Sequence, residues 1–323
     1  MPFSYPALPE FIFDTLCSIS PAEWCRAFFI LSSSSVLAVA ATPEAARRYL
    51  LDYGARTPAK DSSNGRKDKT SRGDGPFVKL VAMVTSCGQV PHSWFIAFYT
   101  TSLTCSIFWL IQYLTRGNIL DFVASRQAGT SDPSMSLGQV VLVWTLMFLQ
   151  ASRRVYEHLV FIKPSASKMW IVHWSLGICF YLCMSISVWV EGSEPILNRP
   201  LNPTNMRLAS LKSVISVLVY LFAWTNQYRC HKYLAGLKKY SLPGSGMFSI
   251  LICPHYTCEC LLYTSLMVAA APEGSWYNKT LLSALVFVLV NLGVTARGTR
   301  KWSIDKFGAE SVAAKWNMIP FVF

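Results

Sequence analysis

Apolar residues along this chain gather into seven stretches, about 24–41, 93–113, 138–151, 169–190, 208–224, 247–270 and 280–296, separated by polar connections. Most have the roughly 17–25 residues that an α-helix needs to cross a bilayer. The third is the shortest, and its helix is expected to continue through Ala151 into the polar SRRVYEH. A further run, Phe77 to Pro91, is broken by Lys79, Gly88 and Pro91 and reads as re-entrant or interfacial. The pattern predicts an all-α integral membrane protein of about seven transmembrane helices, forming a single membrane domain over residues 1–323. Residues 55–76, ARTPAKDSSNGRKDKTSRGDGP, hold few apolar side chains and are expected to form a disordered basic cytosolic loop. The connection EGSEPILNRPLNPTN, with Pro195, Pro200 and Pro203, is expected to be extended rather than helical.

Composition agrees with this pattern. Of 323 residues, 52% are hydrophobic and 14% charged, against roughly 25% charged in soluble domains, which excludes an ordinary soluble protein. Charge then orients the helices. Seven crossings divide the connections between two sides; the segments 42–79, 152–168, 225–239 and 297–323 together carry +14, and those on the other side carry −1. Lys and Arg near helix ends favour the cytoplasmic side, so the N-terminus is expected in the lumen and the C-terminus in the cytosol. The start, MPFSYPALPEF, lacks the basic residues and compact apolar core of a cleavable signal. The basic face can serve topology alone, or attract anionic lipid or a phosphorylated ligand. Ten cysteines, nearly all in apolar stretches, read as small buried hydrophobes rather than a disulfide framework. Asn278-Lys279-Thr280 fits a glycosylation acceptor pattern.

The candidate chemistry begins at ICPHYTCECLL, residues 252–262, where Glu259 is the only acid in any of the seven stretches. An ionisable group at membrane depth costs roughly 2.5–3.5 kcal/mol on insertion scales and marks a functional site by default. Pro254 suits a first helical turn, so a helix is expected from near Cys253 to about Ala270, with His255 and Glu259 four apart on one face. Cys258 and Cys260 then diverge by about 200° and cannot share an ion, so no metal site is expected. Glu259 either pairs with a structural cation or, with His255, lines a cavity as a hydrogen-bonding group. Further polar residues collect at the cytosolic helix ends: Gln150, Arg153, Arg154, Tyr156 and Glu157; Asn226, Tyr228, Arg229 and His231; Arg297, Arg300, Lys301 and Trp302. Arginines in such places clamp phosphates and a tryptophan can stack on a base, although both also serve as plain interfacial anchors. With no P-loop and no Gly-x-Gly-x-x-Gly after a strand, any nucleotide needs another kind of pocket.

These residues carry a resemblance. NQYRCHKYLAGLKK (Asn226 to Lys239) is similar to H-Q-Y-K-C-H-x-I-L-x-x-L-R-K, and Pro254-His255-Tyr256 with Glu259 to P-[NH]-Y-x-x-E. TRKW (Thr299 to Trp302) resembles T-H-x-W-Y, and Ile319-Pro320-Phe321-Val322-Phe323 resembles I-P-F-x-F. Upstream, Val90-Pro91 with Trp94-Phe95 and Phe98-Tyr99, Arg153-Arg154 with Glu157, and Tyr53-Gly54 match shorter signatures. All belong to the steroid 5-alpha-reductase family, polyprenol reductase branch, and residues 205–323 carry the most specific part. The resemblance implies a seven-helix enzyme of the endoplasmic reticulum membrane, with NADPH entering from the cytosol and a polyprenoid lipid from the bilayer; no nucleic acid and no obligate protein partner is expected. It implies that His255 and Glu259 contact the nicotinamide end, and that Asn226, Arg153 and the basic residues near Arg300 hold ribose and phosphates. Arg229, His231, Arg297, Lys301 and Trp302 join them as cofactor candidates. The chain departs from the pattern where Gln150 falls at the place of a proton-donating tyrosine, and where Arg300 and Ser303 replace the His and Tyr of T-H-x-W-Y.

Hydride adds to a carbon–carbon double bond only when an electron sink is conjugated to it, so the expected substrate is polyprenal rather than the alcohol. Gln89 and Gln150 are candidate donors to the developing enolate oxygen, with Tyr156, His255 or water as the source of the α proton. Other readings compete: another lipid or steroid enone reductase of the same family, a membrane methyltransferase of similar architecture, and a non-catalytic scaffold or channel.

Overall fold

The computed structural model describes residues 18–51, 75–130, 134–161, 167–198, 210–238 and 240–323. It is mostly helical, and each of the seven apolar stretches falls on a helix: α1 (Pro21–Ala40), α4 (Ile96–Thr115), α6 (Leu137–Phe161), α7 (Ile171–Ser187), α9 (Leu211–Gly236), α10 (Pro254–Ala269) and α11 (Lys279–Phe307). Shorter helices are α2 (Glu44–Leu51), α3 (Pro76–Ser86), α5 (Asn118–Ala128) and α8 (Ser193–Asn198). Among the described residues, four helical segments are long and apolar enough to cross a membrane: Pro21–Ala40, His92–Thr115, Ile171–Asn198 and Lys279–Phe307. Apolar side chains such as Leu31, Leu114, Leu218 and Phe222 point outward from this bundle, as a surface facing hydrocarbon would require. As expected, α6 runs past Ala151 to Phe161 and α10 starts at Pro254.

Local chemistry sets the helix ends. Ser20 caps α1 in a reciprocal box with Glu23, and Pro21 opens the first turn. Gln139 on α6 donates to the carbonyls of Ala269 (3.0 Å) and Ala271 (2.6 Å), satisfying orphan acceptors where α10 ends. Asn278 caps α11 by accepting from the Leu281 N–H at 2.9 Å and is fully buried. The glycosylation acceptor read from the sequence is therefore a buried cap with no surface to modify. The Phe77 to Pro91 run divides into α3 and a three-residue strand, β1 (Gln89–Pro91), which pairs antiparallel with β2 (Lys168–Trp170) and ties the starts of α4 and α7 together. Those two helices approach closely at Gly177, where a Cβ would lie 2.6 Å from the Phe98 ring.

Two further expectations meet the structure differently. The proline-bearing connection starts as a 3-10 turn (Val190–Gly192) and the helix α8. Pro195 is tolerated there because it falls in the first turn, where N–H groups have no intrahelical partner. Residues 199–209, and nearly all of the 55–76 loop, lie outside the described residues.

After α11 the chain turns at Gly308, whose φ of 87° suits glycine, and returns to the entry of α10. Ile252 and Cys253 donate to the carbonyls of Trp316 and Asn317, each at 2.9 Å, and the Thr257 hydroxyl reaches the Met318 carbonyl. This hook sets the first turn of α10, and so the position of His255.

Candidate active site

The start of α4, the end of α6, the first half of α7, the end of α9, the first half of α10 and the middle of α11 enclose a cavity of about 890 Å³, within the roughly 300–1,000 Å³ typical of small-molecule and cofactor sites. The helix ends that α4, α6, α7, α9 and α10 bring to it adjoin basic connecting segments. One wall is polar: Arg154, Glu157, Gln227, His231, His255 and Glu259. The facing wall is largely apolar, built from Phe98, Leu176, Phe180, Tyr181, Phe287 and Val288.

Spacing along the helices makes the polar wall. Gln150, Arg153, Arg154 and Glu157 recur at three- and four-residue steps on α6, Gln227 and His231 stand four apart on α9, and so do His255 and Glu259 on α10. The side chains interlock between helices. Gln227, almost fully buried, donates to one oxygen of Glu259, Oε2, and to the His255 carbonyl, while its own carbonyl accepts from Gln150 (3.0 Å) and from Arg153. Gln150 also donates to Glu259 Oε2 at 3.4 Å. The second carboxylate oxygen of Glu259 has no hydrogen-bond partner among the described residues, and Glu259 lines the cavity. His255 Nδ1 is likewise buried without a partner. Within this wall Glu157 is ion-paired with Arg153 (Nε at 3.2 Å), Arg154 and His231 (2.7 Å). Arg154 also donates to the Tyr99 hydroxyl at 2.6 Å and stacks over the Tyr99 ring at 4.7 Å.

Not all the sequence-predicted residues meet here. Glu259, His255 and His231 line the cavity, and Gln150 reaches it through Glu259. Arg153 stands behind the wall, with its guanidinium on Gln150, Gln227, Glu157 and the Trp224 carbonyl. The structure places the others elsewhere. Gln89 is exposed on β1 and donates to the Thr85 carbonyl at 2.6 Å. Tyr156 is half exposed with its ring against Phe161, and Asn226 donates to its own helix at the Phe222 carbonyl. Arg229 and Arg297 are exposed. Arg300 spans the carbonyls of Lys315 and Val312, fastening the C-terminal hook, beside a separate cavity of about 360 Å³. Lys301 pairs with Glu44, whose carboxyl is held down at about 2 by hydrogen bonds first from Lys301 and then from Arg48. Trp302 packs on Phe307 and near Tyr240.

Sequence reasoning missed Gln227 and Tyr99 as site residues and named Arg154 and Glu157 only as members of a polar cluster. Gln227 had a usable signal: with His231 it repeats, on the preceding helix, the four-residue spacing of His255 and Glu259. For Tyr99 the spacing offered none, since its partner Arg154 is 55 residues away.

Residues 167–323 match the family described as 3-oxo-5-alpha-steroid 4-dehydrogenase. Among curated proteins, the chain is 26% identical over 292 residues to polyprenal reductase 1 of Oryza sativa subsp. indica, covering 72% of this chain and 79% of that one. It is 31% identical over 186 residues to polyprenal reductase of Saccharomyces cerevisiae (56% and 64%) and 26% identical over 256 residues to that of Xenopus tropicalis (73% and 80%).

Proposed function

We propose that this chain is a member of the steroid 5-alpha-reductase family, whose pattern residues 167–323 match, and that it reduces the α-isoprene double bond of polyprenal with NADPH, supplying dolichol for protein N-glycosylation. The relatives named as polyprenal reductases support the substrate. The observation that carries the reading is the two-sided cavity. Its polar wall offers an oxygen of Glu259 with no hydrogen-bond partner among the described residues and a buried, unpartnered His255 Nδ1, and its apolar wall offers aromatic and aliphatic surface. A buried polar atom is rarely left unpaired, so His255 Nδ1 together with the cavity-lining oxygen of Glu259 fits the carboxamide end of a nicotinamide. An isoprenoid chain fits the wall opposite.

NADPH, when bound, supplies the hydride that a conjugated double bond accepts at its β carbon. Glu259 and His255 would hold the carboxamide, and His231 and Lys238 line the same cavity for the charged remainder. Gln227 and Gln150 orient Glu259. Both N–H groups of the Gln150 amide face Gln227 and Glu259, so Gln150 serves the carboxylate rather than the substrate oxygen. Phe98, Phe180 and Phe287 exclude water from the reacting carbons, strengthening the electrostatics of the wall they face. In this proposal all seven apolar helices span the endoplasmic reticulum membrane, with the basic helix ends and the cavity mouth on the cytosolic side.

Purified protein incubated with polyprenal is expected to oxidise NADPH and yield dolichal, measured by absorbance and mass spectrometry. NADPH left unconsumed while S-adenosylmethionine is used would sink the reading in favour of the methyltransferase class.

A further inference from the structure

Reduction of an enal consumes a proton at the α carbon, and the cavity must present an acid there. Of the sequence-based sources, Tyr156 is outside the cavity and His255 is assigned to the cofactor. We propose that Tyr99 is the catalytic acid, a role that rests on the polyprenal reading.

Tyr99 lies in the first turn of α4, and its side chain lines the cavity. Its ring is packed edge-on against Tyr181 at 6.1 Å and His158 at 6.2 Å, which holds it in one orientation. The hydroxyl oxygen accepts from Arg154 at 2.6 Å. A guanidinium has only donors, so this bond fills an oxygen lone pair and leaves the Tyr99 O–H free to donate elsewhere. Arg154 is itself anchored by Glu157. A fixed positive charge therefore stands where negative charge appears when the proton leaves. Tyr181 and Tyr263 also line the cavity, but among the described residues neither hydroxyl has a hydrogen-bond partner, and their rings contact Phe180.

The step balances as follows. Hydride forms the new C–H bond at the β carbon, and the double-bond pair moves toward the carbonyl as an enolate. The enolate α carbon takes the Tyr99 proton and the aldehyde C=O is restored. The O–H pair remains on Tyr99 as a phenolate beside Arg154, and water at the cavity mouth returns the proton. NADPH is the two-electron reductant, and one proton is drawn from water.

Tyr99→Phe tests this with three readouts: NADPH affinity by fluorescence without substrate, kcat and KM, and the facial placement of deuterium at the α carbon of product made in D2O. Unchanged NADPH affinity and KM are expected, with kcat lower by roughly 10²- to 10⁴-fold and residual deuterium spread over both faces. Retained kcat, retained facial selectivity or weakened NADPH binding each overturns the assignment. Should the variant fail to fold, 3-fluorotyrosine at position 99 keeps the ring and the Arg154 bond while strengthening the acid. The alkaline limb of kcat should then move to lower pH, and an unmoved limb overturns the proposal. A wild-type protein that leaves NADPH unoxidised with polyprenal would overturn the functional reading, and this role with it.

Discussion

Glu191, where α7 gives way to α8, and Glu259, partly buried on α10 and lining the cavity, are used in opposite ways. Glu191 is 7% exposed and turned inward. Its Oε1 accepts from the Thr280 N–H (3.0 Å) and hydroxyl (2.5 Å) at the start of α11, with Arg26 of α1 at 4.0 Å. A negative group at a helix N-terminus meets orphan N–H donors and the positive end of the dipole, so Glu191 closes a joint between α1, α8 and α11. Glu259 is held by Gln227 and Gln150 through one oxygen only, with the other left to the cavity. A buried acid whose partners all come from the protein is architecture. One left half-satisfied beside a cavity is a binding group in waiting.

That contrast can be broken by experiment. The largest effect is expected for Glu191→Gln, which puts an amide where Thr280 and Arg26 require an acceptor; breaking such a buried pair costs about 3 kcal/mol. Yield and unfolding midpoint in detergent should fall while the surviving folded protein binds NADPH normally. Weakened NADPH binding at full stability would erase the distinction. Glu259→Gln should show the reverse: a nearly unchanged unfolding midpoint, and NADPH affinity and turnover reduced by about 1–3 kcal/mol, or roughly 5- to 150-fold. Titrating NADPH fluorescence against the variant decides it, and wild-type affinity would remove Glu259 from the cofactor site.

Gln227→Met sharpens the same comparison. Alone it should weaken NADPH binding by about 1–2 kcal/mol. In the Glu259→Gln background it should add less than half of that, because residues acting through one another are not additive. Full additivity would mean that Gln227 does not act through Glu259. The smallest effect is expected at Glu44, an exposed acid paired with Lys301 and Arg48. Its folded carboxyl sits at about 2 against an ordinary 4.5, so the folded form binds the proton more weakly than the unfolded form. Its stabilising contribution is present above pH 4.5 and is lost as pH falls through about 2. Exposed pairs contribute little, so the unfolding midpoints of wild type and Glu44→Gln should differ slightly near neutral pH and converge on acidification. A gap that widens in acid would show that Glu44 is not held by these cations.

Much of this was legible before any coordinates. The seven apolar stretches each fall on a helix, the start of α10 at Pro254 followed from where proline is tolerated, and the facing of His255 and Glu259 followed from helical spacing. Where reading failed, the partner was remote. Arg153 and Arg300 look alike as juxtamembrane arginines, yet one is stacked over Trp224 at 4.7 Å and the other stitches the C-terminal hook. Glu191 reads as a loop acid, because the Thr280 that claims it lies 89 residues downstream.

The division has a physical cause. Hydrophobic runs, caps and four-residue spacings are properties of neighbouring residues, so the sequence by itself determined the helices, their apolar surfaces, the basic character of one set of connections and the pairing of His255 with Glu259 on one face. Which way each helix is turned, and which of several acceptors a five-donor guanidinium finds, depends on how α4, α6, α9 and α10 settle against one another. Tertiary packing alone decided that Gln227 would sit between Arg153 and Glu259, that Arg154 would reach Tyr99, and that one oxygen of Glu259 would be left facing the cavity.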